Sequence, residues 1–592
     1  MKLKYFVLLL LSLYIVNCTF YIEAQATIRY VSKSGTNTPP YTSWETAATS
    51  IQLCINVCVD GDTIYVANGI YKENLVINTA ISLIGSSMDS TVIDGRGLED
   101  LTIVFNASGN IENFNIYGRT IGTGYGIYVQ TLSTIEVKNC QISETGRGIA
   151  AVGLLARGII MKNLRSGIIT AAEPNTTNFV INCIIILESN SSNGISLPGP
   201  TGADYYITNN ILLFTGANSL GPGISIGAPK KVYIYNNLIS GFRYRSINFD
   251  TVIDTAFVNY NILAYGGSLH SSGNRIYVNN VVLINNGRSI YQSGSGFINS
   301  DYNLFWKNGL DLDGTTYGDS DRVADPMFIK DTIPNPQLDF DYHLQAFSPG
   351  IDKGDPNILD LDGTRSDIGV YGGPFGETYT YQDLAPLAPR NLSAFVDSNY
   401  ILVKWNKNTE ADTSFYKVYR DTVTNFTVDS TKLVSSSTDT FYVQPNPHNV
   451  SRYVYRITCV DNQGNESLPS NELVVNITSV STDDYPMTIS YYVLYQNYPN
   501  PFNPSTKIGY QLKERAYVKL MVYDIKGELV SVLVNKEQTA GYYEAEFSSS
   551  SIRDQESSIK SISSGIYLYR IEIIGEGKIP VYTEMKKMIL IK

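Results

Sequence analysis

Histidine is almost missing from this chain: three occur in 592 residues, His270, His343 and His448. Imidazole-based metal centres and acid–base sites have little material here. No metal-binding His cluster, phosphate-binding loop or G-x-S-x-G phrase occurs. Charge is thin as well. Asp, Glu, Lys and Arg together make up 17% of the residues, and the net charge is -11 without a basic run. That balance excludes a nucleic-acid partner, because phosphate binding needs clustered cations. Cysteine is sparse. Leaving out Cys18, the chain has Cys54, Cys58, Cys140, Cys183 and Cys459, an odd set without zinc-site spacing. Long apolar runs are missing too. Phe6 to Val16 is too short for a transmembrane helix, and no later segment spans a membrane.

What is abundant points the other way. Tyrosine reaches 44 and glycine 47. Aromatic and β-branched residues suit a pleated, half-buried surface, and this length implies several domains. The first residues read as a secretory signal: Lys2 and Lys4, then Phe6 to Val16, then Ala24-Gln25-Ala26. Residues 1–26 are therefore expected to be removed, so that the mature chain begins near Thr27. Cys18 raises a lipoprotein alternative, but Asn17 is a poor residue before a lipidated cysteine.

A short phrase recurs downstream, apolar–x–Asn followed by Asn, Cys or Leu. It appears at Val137-Lys138-Asn139-Cys140, Met161-Lys162-Asn163-Leu164, Val180-Ile181-Asn182-Cys183, Ile207-Thr208-Asn209-Asn210 and Ile234-Tyr235-Asn236-Asn237. Weaker copies follow at Val258-Asn259-Tyr260-Asn261, Tyr277-Val278-Asn279-Asn280 and Ser300-Asp301-Tyr302-Asn303. From Cys140 to Asn303 the steps are 24, 19, 27, 27, 24, 19 and 23 residues. Strand-like alternation at such a period means a β-solenoid. Asn tolerates the left-handed bend conformation, and stacked Asn side chains bond their equivalents above and below. The pattern resembles the right-handed parallel β-helix family. Residues 61–74 match the family's N-terminal coil. Ala324-Asp325-Pro326-Met327-Phe328, Ser348-Pro349-Gly350-Ile351-Asp352 and Asp367-Ile368-Gly369-Val370-Tyr371 resemble its closing region. The β-helix is expected over 27–380. Cys140 and Cys183 then sit two rungs apart, about 9–10 Å, too far for a disulfide, which needs about 7 Å or less. Cys54 and Cys58 are expected as core thiols of a capping helix.

After the break Leu384-Ala385-Pro386-Leu387-Ala388-Pro389, alternating strands with Trp405, Tyr416 to Arg420 and Tyr453 to Asp461 resemble a fibronectin type III domain over 386–478. Trp405 is the expected core aromatic, Tyr453 the tyrosine-corner candidate and Cys459 a core residue. No Arg-Gly-Asp loop suggests receptor binding. A linker, 479–492, leads to the last unit. There, Tyr495-Gln496-Asn497-Tyr498-Pro499-Asn500-Pro501-Phe502-Asn503-Pro504-Ser505-Thr506, Ser564-Gly565-Ile566-Tyr567 and the closing Lys586 to Lys592 resemble the type A sorting domain of the type IX secretion system. The resemblance covers 493–592, with Ser548 to Ser564 longer than the family's usual loop. It implies the type IX secretion machinery as a partner and a destination outside the cell, secreted or on the outer surface. The fold class expected is all-β: a right-handed parallel β-helix followed by two β-sandwich domains.

Chemistry is harder to find. Hydrolases of this shape need two or three convergent carboxylates, yet acids between Glu136 and Asp301 are sparse and unpaired. Asp250 and Asp254 with Arg243 and Arg245 are a loose echo of a lyase site, which chance explains equally well. His270 reads as a polar loop residue. Asp360, Asp362 and Asp367 offer oxygens for calcium, or simply close turns. Period-two alternation turns Lys138, Lys162, Tyr206, Thr208, Tyr233, Tyr235, Phe257 and Asn259 outward. Of these, Lys138, Lys162, Tyr206, Tyr233, Tyr235 and Phe257 are the candidate glycan contacts; the plain alternative is cross-strand stabilisation by aromatics. The reading is an exported surface protein binding extracellular polysaccharide or mediating adhesion. The alternatives are a polysaccharide lyase or glycoside hydrolase, and a structural stalk.

Overall fold

The structure is a computed structural model. It describes residues 26–591 except 120–123, 131, 172–173, 175, 189–192, 201, 217–218, 251–253, 274, 398–399, 446–449, 478–491, 498–499, 501, 550–561 and 576–579. The signal segment, nearly all of the 479–492 linker and most of the Ser548–Ser564 loop lie outside the described residues. The chain forms two compact units, one through Gln382 and one from Asp383. No helix among the described residues is long and apolar enough to cross a membrane.

The first unit is a parallel β-solenoid. One sheet stacks twelve short strands, from Ile28–Val31 to Phe297–Asp301, each paired in parallel with the next. A second, twenty-one-stranded sheet wraps the remaining faces. Alternation sends one residue in two inward. Ile64, Leu83, Ile111, Val137, Ala156, Val180, Ile207, Ile234, Val258 and Val278 form one interior column, all fully or almost fully buried. The N-terminal end is closed by the helix Ile51–Ile55, whose Ile51, Cys54 and Ile55 are buried. The Glu73 carboxylate accepts from the backbone N–H groups of Ile51 and Gln52, both at 3.0 Å, satisfying donors that a helix start leaves open.

From the Gly109–Glu112 rung onward, each rung turns a tight corner on one left-handed residue. Asn113, Asn139, Gly158, Asn182, Asn209, Asn236, Tyr260, Asn280 and Tyr302 fill this place with φ between 48° and 64°. The next residue faces inward, and here the asparagine ladder forms. Asn210, Asn237, Asn261 and Asn303 are buried. The Cys183 N–H donates to Asn210 Oδ1, Asn210 N–H to Asn237 Oδ1, Asn237 N–H to Asn261 Oδ1 and Val281 N–H to Asn303 Oδ1, at 2.9–3.0 Å and spacings of 27, 27, 24 and 22 residues. Two repeats differ from the sequence reading. Met161 to Asn163 lies in the strand Ile160–Ala171 of the other sheet, and Gly158 supplies the bend, because glycine reaches φ > 0 as easily as Asn. Asn280 holds the bend and Val281 the ladder place. A second ladder, Asn286 bonded to Asn308 Oδ1 at 2.9 Å, escaped the sequence pattern. Cys140 and Cys183 are unbonded, as are Cys54, Cys58 and Cys459.

The second unit holds two antiparallel sandwiches, each a three-stranded sheet facing a four-stranded one. In the first, resembling fibronectin type III, Trp405 and Cys459 are core residues. Tyr453 does not make the corner. Its ring takes the Arg420 guanidinium, 5.0 Å from the centroid, and among the described residues its hydroxyl forms no hydrogen bond. The hydroxyl tied to backbone belongs to Tyr416, which accepts from Asn408 N–H at 2.7 Å. In the last sandwich the buried Tyr569 hydroxyl donates to Tyr495 O at 2.9 Å and accepts from Asn497 N–H at 2.8 Å. Asn500 Oδ1 accepts from Ile589 N–H at 2.8 Å, and Phe502 pairs with Ile589 and Ile591. Tyr495 and Asn497 thus dock on the strand Gly565–Ile574, and Asn500 and Phe502 on the final strand.

Candidate functional site

The outward aromatics of the twelve-stranded sheet line up in register: Phe179, Tyr206, Tyr233, Phe257 and Tyr277. Successive centroids are 5.2, 4.5, 5.3 and 5.5 Å apart, with ring planes within 17° of parallel. The rings therefore cover each other's faces and turn their edges to solvent. A sugar stacking on an aromatic needs a free face. This column stabilises the sheet, at about 0.5–1.5 kcal/mol per stacked pair. Tyr235 stands beside it, edge-on to Tyr233 at 6.0 Å. Lys138 shares the Tyr235 column several rungs away and pairs with Glu112 at 3.1 Å. Lys162 is exposed on the other sheet, separated from the rest by the Gly158 bend.

A concave site lies along the bend edge, where the closing segment returns over the solenoid as a strap. Asn236 Nδ2 donates to Val370 O at 2.9 Å and Gly372 O at 2.7 Å. Gly373, at φ 74°, rests so close to Tyr260 that a Cβ would come within 2.6 Å of the ring. Asn280 Oδ1 accepts from Asp355 N–H at 2.7 Å. The bend residues Asn182 and Asn209 remain exposed. Between them and the strap lies a recess of about 260 Å³, walled by Phe340, Tyr371 and Phe375 and rimmed by Glu377. Phe375 is 52% exposed and lies 6.1 Å from Tyr235. None of the six candidate glycan contacts lines this recess; Tyr235 adjoins it only through Phe375.

Glu377 is held from behind. His343 Nε2 lies 2.6 Å from its Oε1, and His343 Nδ1 lies 2.6 Å from Asp341 Oδ1. The imidazole stacks on Tyr371 at 3.7 Å and 9°. Glu377 and Asp341 face the same imidazole, so Asp341 stands behind His343 rather than across the recess. A hydrolase needs its two carboxylates to flank one bond.

Of the three acids that offer oxygens for calcium or close turns, Asp360 and Asp367 fasten the strap. Asp360 accepts from the Gly373 and Asp367 backbone N–H groups. Asp367 accepts from Asp352 N–H and the Tyr381 hydroxyl, both at 2.9 Å. Asp362 is exposed and accepts from Thr364 within its own turn. Burial pushes the Asp367 carboxyl up to about 6. A raised carboxyl favours the folded state while protonated, and that contribution fades as pH rises through about 6. The solenoid should thus be more stable near pH 4.5 than near pH 7.5, by about 2 kcal/mol from this group. Urea midpoints of wild type and Asp367→Asn across that range check it: the variant should lose this part of the pH dependence.

The loose lyase echo resolves into a polar stripe on the other sheet. Ser225, Asn248, His270 and Tyr291 are in register. Arg245 donates to Asn248 Oδ1, and Asn248 to Asp250. His270 lies 2.9 Å from both Asn248 Oδ1 and Ser293 Oγ. Burial, then Arg245, lower its pKa, so the ring is neutral near pH 7. His270 is a strand residue, 5% exposed, not a loop residue. Arg243 and Asp254 are exposed and form no hydrogen bond in this network.

No family model matches the chain. It is similar to an amylopullulanase of Thermoanaerobacter thermohydrosulfuricus, 29% identical over 149 residues that make up 21% of this chain and 10% of that protein. The chain thus spans about a tenth of that relative's length. Among solved structures, the pectate lyase Pel9A is 15% identical, with 59% of this chain and 96% of that one covered at a TM-score of 0.37. An Fn3-like protein from Clostridium thermocellum is 26% identical, with 17% of this chain and 99% of that one covered at a TM-score of 0.14. None of these likenesses assigns a role to a residue here.

Proposed function

We propose that the solenoid is an extracellular carbohydrate-binding unit whose site is the strap recess. The observation that carries the reading is the convergence, in one open hollow, of the half-exposed Phe375 ring, the exposed Asn182 and Asn209, and the braced Glu377 carboxylate. Sugars present apolar ring faces beside dense hydroxyls, and such a mixed lining suits them. The similarity to an amylopullulanase agrees with a carbohydrate-directed role. A glycan array probed with the purified protein tests it. Phe375→Ala should weaken the binding found there by about tenfold or more, while Tyr233→Ala, whose faces are already covered, should leave it unchanged. Binding insensitive to Phe375→Ala would place the ligand elsewhere.

A second reading, eliminative cleavage of an acidic polysaccharide, rests on the neutral His270 beside Arg245. A guanidinium suits a uronate carboxylate and a neutral imidazole suits proton removal. His270 is buried with both nitrogens engaged, so binding without cleavage is favoured. Release of unsaturated uronides, lost in His270→Ala, would reverse that order. We further propose that the last sandwich is a type IX sorting signal, supported by the docked Tyr495–Thr506 phrase.

A further inference from the structure

The strap recess carries charge of one sign. Among the described residues that line it, Glu377 alone is charged; no lysine, arginine or histidine takes part. Behind Glu377 stand His343 and Asp341, and both imidazole nitrogens face carboxylate oxygens at 2.6 Å. Two carboxylates around one imidazole leave this group net negative whether the ring carries one proton or two. The recess wall registers the field: burial first, then the Asp341 and Glu377 charges, push the pKa of the Tyr371 hydroxyl up.

Glu377 has bonding capacity to spare. Contact with His343 at Oε1 fixes the direction of the carboxylate. Its Oε2 has no hydrogen-bond partner among the described residues, and the side chain is 56% exposed. A carboxylate held at one oxygen and open at the other is set to receive a charged donor, and such charge-assisted bonds are roughly twice as strong as neutral ones. The exposed Asn182 and Asn209, on successive rungs about 4.8 Å apart, offer neutral donors and acceptors that suit hydroxyls and do not select charge. A uronate in this recess would set its carboxylate against Glu377 with no lining cation to answer it, and like charges across a contact are costly. A protonated amine reverses that sign.

We infer that the recess selects amino sugars, glycans that carry a free ammonium, and refuses uronates. This selectivity presupposes that the recess binds carbohydrate, and adds the charge class of its ligand. Titration calorimetry of the full-length protein at about pH 6, where amines are protonated, tests it with three probes: glucosamine oligomers, their N-acetylated counterparts and oligogalacturonates. The free-amine oligomers should bind about tenfold or more tighter than the N-acetylated ones. That advantage should shrink as salt rises, and oligogalacturonates should bind weakest. Glu377→Gln should erase the advantage of the amine and leave the N-acetylated oligomers unaffected, while Phe375→Ala should weaken both. Equal affinity of wild type for the free-amine and N-acetylated forms would overturn the charge selection with the site itself intact. So would tighter binding of oligogalacturonates, or an amine preference unchanged in Glu377→Gln. Binding insensitive to Phe375→Ala, or no binding of any probe, would instead strike the carbohydrate reading of the recess, and the selectivity with it.

Discussion

Asn237→Ala is expected to cost the solenoid about 4 kcal/mol. The side chain is fully buried. Its Oδ1 accepts from Asn210 N–H at 3.0 Å and from Asn210 Nδ2 at 2.9 Å. Its Nδ2 donates to Ile207 O at 2.8 Å, Tyr235 O at 3.0 Å and Asn261 Oδ1 at 3.0 Å. Alanine removes all five bonds and leaves donors and acceptors of three rungs without partners. Each such buried group costs about 1–3 kcal/mol. Partial relaxation keeps the total below the sum. Urea unfolding followed by circular dichroism measures the change, and an unaltered slope shows that the same surface is exposed on unfolding. Asn182→Gly is the control, because glycine also accepts the bend conformation and that side chain is exposed; it should change stability by under about 1 kcal/mol. A loss below about 1 kcal/mol for Asn237→Ala would mean that water replaces the amide in the ladder.

The second large effect concerns delivery. Under the sorting proposal, a chain lacking residues 493–592 is expected to accumulate in the periplasm of a host with type IX secretion, with almost none reaching the surface or medium. Cell fractionation and immunoblotting of both chains measure it. The converse arm fuses 493–592 to an unrelated periplasmic protein, which should then appear outside. Asn497→Ala refines the test and should lower delivery, since the buried Asn497 side chain donates Nδ2–H to Thr506 Oγ1 at 2.9 Å and alanine removes that tie within the entry phrase. Normal delivery of the truncated chain would end the sorting reading.

The solenoid was legible because its period is written in the residues that turn each corner. Asn139, Asn182, Asn209 and Asn236 mark the bends, and the residue after each falls in the interior. The reading slipped where another residue met the same backbone demand. Gly158 bends as well as Asn, and the Asn163 phrase then drew Lys162 onto the wrong face. The aromatic column was legible as an outward stripe, but sequence alternation gives a side chain's direction and not its ring's orientation. The strap recess was not legible. It joins Asn182 and Asn209 to Phe375 and Glu377, residues far apart in the chain, and nothing local in the sequence marks that approach. The Asn248–His270 pairing depended on register between neighbouring rungs, which spacing alone leaves open.

The strap carries a mechanical consequence. A solenoid whose rungs touch only their neighbours can fray from a free end, one coil at a time. Here the closing segment is bonded to Asn236, packed on Tyr260 and bonded again to Asn280, so it splints successive coils. The C-terminal end cannot peel until the splint detaches, and several coils are then released together. Under tension this end should give way in one large step, whereas coils beyond the splint's reach can yield singly.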